Sequence, residues 1–153
     1  MTDKEYMDIA LDEAVKARMK DEVPVGAIIV RGGKVIAKAH NLKEHKNNAC
    51  AHAEMLAIKK ATRKLRNWRL SECEMYVTLE PCPMCAGAIM NSRIRKVVIG
   101  TEDPKAGSYG GLFDLNSFGV NHKPEIVKGV SKERCAAALV DFFQEKRGKR
   151  KDI

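Results

Sequence analysis

The sequence predicts a mixed α/β fold with a central sheet covered by helices on both faces. Three observations lead there. The N-terminal segment is amphipathic and carries its own helix-start signal, a β-branched stretch further on is broken by two glycines, and strand-like and helix-like segments alternate through the rest of the 153 residues.

The elements follow in order. Thr2-x-x-Glu5 is a capping-box pattern, and Met7, Ala10, Leu11 and Ala14 follow at helical spacing, so a first helix runs to about Lys20. From Pro24 the chain turns β-branched (Val25, Ile28, Ile29, Val30), breaks at Gly32-Gly33 and resumes as Val35-Ile36-Ala37, which reads as a hairpin. Residues 40–51 form a polar loop. Leu56, Ile58, Ala61 and Leu65 give an apolar stripe with Lys59, Lys60, Arg63 and Lys64 on the other side, predicting a helix from near His52. Residues 74–79 are a compact strand stopped by Glu80-Pro81. Pro83 suits the first position of the next helix, which runs to about Ser92. Val97-Val98-Ile99-Gly100 reads as a buried strand, Gly107, Gly110 and Gly111 as a flexible loop, and Glu125-Ile126-Val127 as an edge strand. Ser131 is expected to cap a final helix through Phe143. With no repeat, low-complexity tract or linker, residues 1–153 are expected to form one domain with a basic tail at about 146–153.

Charge and cysteine use narrow the function. The 28 Lys+Arg against 20 Asp+Glu give +8, and residues 1–22 hold seven acids and four bases, so the excess lies further along. It gathers at Lys59-Lys60, Arg63-Lys64, Arg66, Arg69, Arg93, Arg95-Lys96 and the tail. A polyanionic partner explains such runs, and so does a solvated basic surface. No stretch resembles a membrane span or a secretory signal, which leads to an expectation of a cytoplasmic protein without membrane attachment. Five cysteines are an odd number, and two stand as Cys-x-x-Cys, so metal binding is favoured over a disulfide framework.

The chemistry concentrates in two short signatures, His52-Ala53-Glu54 and Pro81-Cys82-Pro83-Met84-Cys85. His52, Cys82 and Cys85 offer three zinc ligands, and three protein ligands leave a tetrahedral position open for a water whose pKa the metal lowers. The cysteines fall where a strand gives way to a helix, and the positive end of that helix favours thiolate. Glu54 is close to the ligands without being one, suited to moving a proton between water and substrate. Cys50, two residues before His52, is a rival fourth ligand that would close the site and make it structural. His-x-Glu, a spacer near thirty and Pro-Cys-x-x-Cys are together the signature of zinc nucleobase deaminases.

Over nearly its whole length the chain resembles the bacterial tRNA-specific adenosine deaminases. The stretches that carry the resemblance are Glu22-Val23-Pro24-Val25-Gly26-Ala27, Ala39-His40-Asn41-Leu42, Ala51-His52-Ala53-Glu54, Tyr76 through Gly87, Asp103-Pro104-Lys105, Asn121-His122 and Phe142-Phe143. The resemblance implies a cytidine-deaminase-like three-layer α/β/α sandwich around a mixed sheet of about five strands. It also implies a homodimer with one Zn2+ per subunit, and hydrolysis of adenosine to inosine at the wobble position of a tRNA anticodon stem-loop. By motif, His52, Cys82 and Cys85 would hold zinc and Glu54 would shuttle protons. Asn41 would bind the purine, and backbone N–H groups of Ala53 and Cys82 would position the reacting centre. Asp103, Lys105, Asn121, His122 and Phe143 would line the path of the anticodon nucleotides, with the basic surface around them. Ala49-Cys50 stands where a Pro-Thr pair is expected, Gly111 replaces a small hydroxyl residue, and the segment from Leu112 to Asn121 is one residue short.

Two other functions fit parts of the pattern. A deaminase of a free base, such as guanine, shares His-Ala-Glu and can share Pro-Cys-Pro-Met-Cys, though it has no need of the positive charge. A non-enzymatic, zinc-stabilised RNA-binding module would keep the ligands and the charge and leave Glu54 without a task.

Overall fold

The computed structural model describes residues 1–151. Thr2 starts α1 (Asp3–Met19) through a reciprocal capping box with Glu5. The hairpin follows as β1 (Gly26–Arg31) and β2 (Lys34–His40), joined by Gly32 and Gly33 at φ of +55° and +76°. Two successive positive φ values are what a tight hairpin turn demands, and glycine adopts them without strain. Then come α2 (Ala53–Leu65), β3 (Cys73–Leu79), α3 (Pro83–Ser92), β4 (Lys96–Thr101), a short 3-10 turn (Leu115–Ser117), β5 (Glu125–Lys128) and α4 (Lys132–Lys151).

The five strands form one sheet in the order β2-β1-β3-β4-β5. β1 is antiparallel to β2 and β3, whereas β3, β4 and β5 run parallel, so the sheet is mixed and β5 is an edge. Alternation along each strand divides the core into two layers. Ala27, Ile29, Met75, Val77, Val97 and Ile99 face α2 and α3, with Ala57, Ala61 and Ile89 among their partners. Ile28, Val30, Tyr76 and Val98 face the other way, against Met7, Ala10 and Leu11 of α1 and Cys135 of α4. The result is a three-layer α/β/α sandwich. Two glycines let helices lie close: a Cβ at Gly26 would fall 1.9 Å from the Ala10 carbonyl oxygen of α1, and one at Gly100 would fall 2.4 Å from Cys135 Sγ of α4.

The last helix departs from expectation at both ends. Ser131 precedes it with φ +54°, and its buried Oγ has no hydrogen-bond partner among the described residues, so Ser131 does not cap through its side chain. The helix continues past Phe143 to Lys151 because residues 144–151 are mostly helix-favouring Lys, Arg, Gln and Glu. Pairing with α1 and the turn after it ties it down: Arg134 bonds Asp8, Arg18 bonds Glu145 and Lys146 bonds Asp21. The final two residues of the expected tail, 152 and 153, lie outside the described residues.

Candidate active site

Both motif helices begin at the same end of the sheet. His52 is the N-cap of α2, Cys82 is the N-cap of α3 at the C-terminal end of β3, and neither cap is made by a side chain. Those side chains are therefore free to converge. His52 Nδ1 lies 3.6 Å from Cys82 Sγ and 3.5 Å from Cys85 Sγ. A tetrahedral zinc at ordinary bond lengths, roughly 2.1 Å to nitrogen and 2.3 Å to sulfur, sets N and S about 3.6 Å apart. The spacing and the donor set both fit that ion.

The electrostatics of the cluster are uneven. Hydrogen bonding from Cys85, and then from His52, holds the Cys82 thiol down at about 4 against the opposing effect of burial. The same contact pushes Cys85 far up, and Cys82 raises His52. A zinc held by the three side chains would take both sulfurs as thiolates. Glu54, in the first turn of α2, is 4% exposed, and burial above all pushes its carboxyl up to about 7. Cys50 is exposed in the preceding turn and is not among the donor atoms that lie within 4.8 Å of one another, so the cluster has three members among the described residues.

The loop from β2 to α2 folds back beside His52. Asn41 N–H donates to Val25 O and Leu42 N–H to Ala51 O, at 3.1 and 3.0 Å, which sets Asn41 next to the start of α2. Asn41 itself is buried, 7% exposed. Two carboxylates hold this loop from below. Glu13 of α1 bonds His40 Nδ1 at 3.0 Å and Lys16 at 2.6 Å, and Glu22 accepts the N–H groups of Glu44 and His45 and faces the His45 ring.

On the far side of the cysteines a third acid organises residues 103–111. Glu80, 2% exposed, accepts backbone N–H groups of Asp103, Tyr109 and Gly111, each at 2.9 Å. Ser108 N–H donates to Pro81 O at 3.0 Å, fastening the same loop to the residue before Cys82. A Cβ at Gly107 would stand 2.2 Å from the Glu80 carboxyl carbon, so glycine is required by close approach. In the sequence alone Glu80 reads only as a strand stop. An acid between a strand and a proline, with glycines ahead that could admit it, is the signal that marks it.

The remaining expected contacts separate into two groups. Asp103 Oδ1 accepts N–H from Lys105 and Ala106, shaping its own turn, and the exposed Lys105 follows it at the cluster end of the sheet. Phe143 is 46% exposed and packs edge-on against Phe142. It belongs to the same end, since α4 runs alongside α1, whose Glu13 reaches His40. Asn121 and His122 do not join them. His122 Nε2 meets Ile94 O at 2.6 Å, beyond the C-terminus of α3, and the ten residues of that helix put roughly 15 Å between this point and the cysteines. The basic surface is divided: Lys64 in the last turn of α2 and Arg66, Arg69, Arg93 and Arg95 beyond α2 and α3 lie away from the cluster, whereas Lys146 near the end of α4 meets Asp21 on the cluster side.

A mixed five-stranded sandwich that brings His-x-Glu and Cys-x-x-Cys together at two helix N-termini defines a cytidine-deaminase-like protein. The comparisons agree and go further. The MafB19-like deaminase family model matches residues 1–147. The tRNA-specific adenosine deaminase of Bacillus subtilis (strain 168) is 51% identical over 150 residues, covering 97% of this chain and 93% of that protein. The Haemophilus influenzae protein of the same name is 40% identical over 97% of this chain and 87% of its own length. A solved structure from studies of A-to-I editing by tRNA:A34 deaminases superposes with a TM-score of 0.84 at 39% identity, over 88% of this chain and 99% of that one. A guanine deaminase from Bacillus subtilis gives 0.65 at 36% identity, over 67% and 66%. The chain belongs to the MafB19-like deaminases and, by this identity and coverage, to the tRNA-specific adenosine deaminase family.

Proposed function

We propose that this chain converts adenosine to inosine by hydrolytic deamination at the wobble position of a tRNA anticodon, acting as one deaminase domain over residues 1–153 with one Zn2+ per subunit. The observation that carries the reading is the His52/Cys82/Cys85 triangle with the buried Glu54 carboxyl beside it. Zinc held by those three side chains would supply Lewis-acid activation of water. Glu54, with a carboxyl poised near neutrality, takes the proton from the attacking water and delivers it to the purine, whose exocyclic amine leaves as ammonia. Asn41 meets the purine edge with a donor and an acceptor, and the N–H groups of Ala53 and Cys82 orient the reacting carbon. Asp103, Lys105 and Phe143 contact anticodon nucleotides near the cluster; Asn121 and His122 contact RNA further along.

The protein works in the cytoplasm as a homodimer in this reading, and none of the described helices is long and apolar enough to cross a membrane. Light scattering should return twice the 17.0 kDa chain mass. The deciding experiment is inosine mapping on total tRNA treated with purified protein. Inosine confined to wobble adenosines is expected, with free adenosine and guanine untouched. Guanine turnover without inosine in tRNA would instead favour the free-base reading, to which the guanine deaminase likeness lends its support.

A further inference from the structure

Basic residues from three separate parts of the chain meet at the end of the sheet opposite the zinc ligands. α2 and α3 both start at the His52/Cys82/Cys85 cluster and run away from it, so Lys64, Arg69 and Arg95 arrive together at the far end. The hairpin turn contributes Arg31 and Lys34. Between them lies a groove of about 680 Å³ lined by Arg31, Lys34, Lys64 and Arg95, and a second of about 250 Å³ continues it past Arg69. The thirteen residues of α2 put this groove roughly 20 Å from His52.

Its charge is not cancelled locally. Arg31 pairs with Glu72 at 2.8 Å and Arg95 with Glu74, but Lys34, Lys64 and Arg69 are exposed and form no ion pair among the described residues. Between Asn67 and Arg69, which both line the second groove, stands Trp68, 55% exposed, with the Arg69 guanidinium 5.0 Å above its ring. A large aromatic left in water beside unpaired cations has no part in the core. Cations spaced along a groove suit successive phosphates, and an exposed indole suits the face of a base.

We infer that this groove is a second RNA-contact surface, binding the sugar–phosphate backbone of the tRNA outside the anticodon loop while the wobble adenosine occupies the zinc-ligand end. The inference rests on the tRNA reading. It predicts that the groove governs affinity and leaves the chemical step alone.

Trp68 is the single tryptophan of the chain, so its emission reports on the groove directly. The protein is titrated with a wobble-adenosine tRNA while inosine is assayed in the same samples. Quenching of Trp68 that saturates with tRNA is expected. In the triple variant Lys34→Glu/Lys64→Glu/Arg69→Glu the midpoint should move up at least about tenfold. The dependence of log affinity on log salt should flatten by about one unit per lost phosphate contact, so by two to three. kcat at saturating tRNA should stay at the parental value, which also verifies that the variant folds. Inosine formation with no change in Trp68 emission, or an unchanged midpoint and salt slope in the variant, overturns the inference and leaves the proposed activity standing. Absence of inosine from every tRNA tested would strike the activity itself.

Discussion

Glu54 and Glu80 are buried carboxylates at the same end of one sheet, on either side of the cysteine turn, and their surroundings differ in one respect. Glu80 is satisfied by three backbone N–H groups, which lock a loop onto the residue before Cys82. Glu54 sits where burial drives its carboxyl up to about 7. Bonded to donors that cannot move, a carboxylate builds; raised toward neutrality beside three metal-ligand side chains, it can exchange a proton. Burial alone therefore does not separate a structural acid from a chemical one. The partners do.

The contrast predicts distinct losses. Glu80→Ala strands three N–H groups and should cost about 2–5 kcal/mol of unfolding free energy, measured by urea denaturation. A change below 1 kcal/mol would show that the loop does not depend on the acid. Gly107→Ala attacks the same nest from its other side. Its new Cβ collides with the Glu80 carboxyl, and a cost of about 1–3 kcal/mol is expected in the same assay.

Glu13 and Glu22 extend the comparison to acid held by cations and amides. Burial would raise both, but Lys16 and His40 outweigh it at Glu13, and the N–H groups of Glu44 and His45 with the His45 ring do so at Glu22. Both carboxyls end below the ordinary value of 4.5. Each thus contributes stability that is present above pH 4.5 and disappears as pH falls through its lowered folded value. Urea midpoints followed downward from pH 7 should drop below pH 4.5 in the parent and less steeply in Glu13→Gln and Glu22→Gln. Equal slopes would remove these acids from the account. The smallest effect is expected at Cys50→Ser: zinc content and turnover unchanged, because Cys50 is exposed and outside the donor cluster. Loss of metal there would mean a closed four-ligand site.

Much of this arrangement was legible in the sequence. The strands could be read because apolar residues fill both faces of β1, β3 and β4, and the zinc ligands because His-x-Glu and Cys-x-x-Cys each sit at a predicted helix start. Ser131 misled because a serine before an apolar run looks like a cap whatever its backbone does, and φ is not written in the side chain. The basic runs misled for a topological reason. Read along the chain, Lys59 to Arg69 follows the His52 motif and Arg93 to Lys96 follows the cysteines. Both runs extend to or past the far ends of helices that lead away from the chemistry, and only the fold joins Lys64, Arg69 and Arg95 to Arg31 and Lys34. Glu80 was hidden because its partners are backbone N–H groups twenty to thirty residues later, which leave no residue-type signature beyond the glycines that make room for it.

The most direct test sets the two acids side by side. Glu54→Gln is assayed for zinc content, inosine formation in tRNA and unfolding free energy, with Glu80→Gln as its companion. The account predicts that Glu54→Gln keeps its zinc and its stability and loses about 10²–10⁴-fold in kcat, while Glu80→Gln loses stability first. Turnover retained in Glu54→Gln, or a loss of kcat in Glu80→Gln as deep as in Glu54→Gln with stability unchanged, would contradict it.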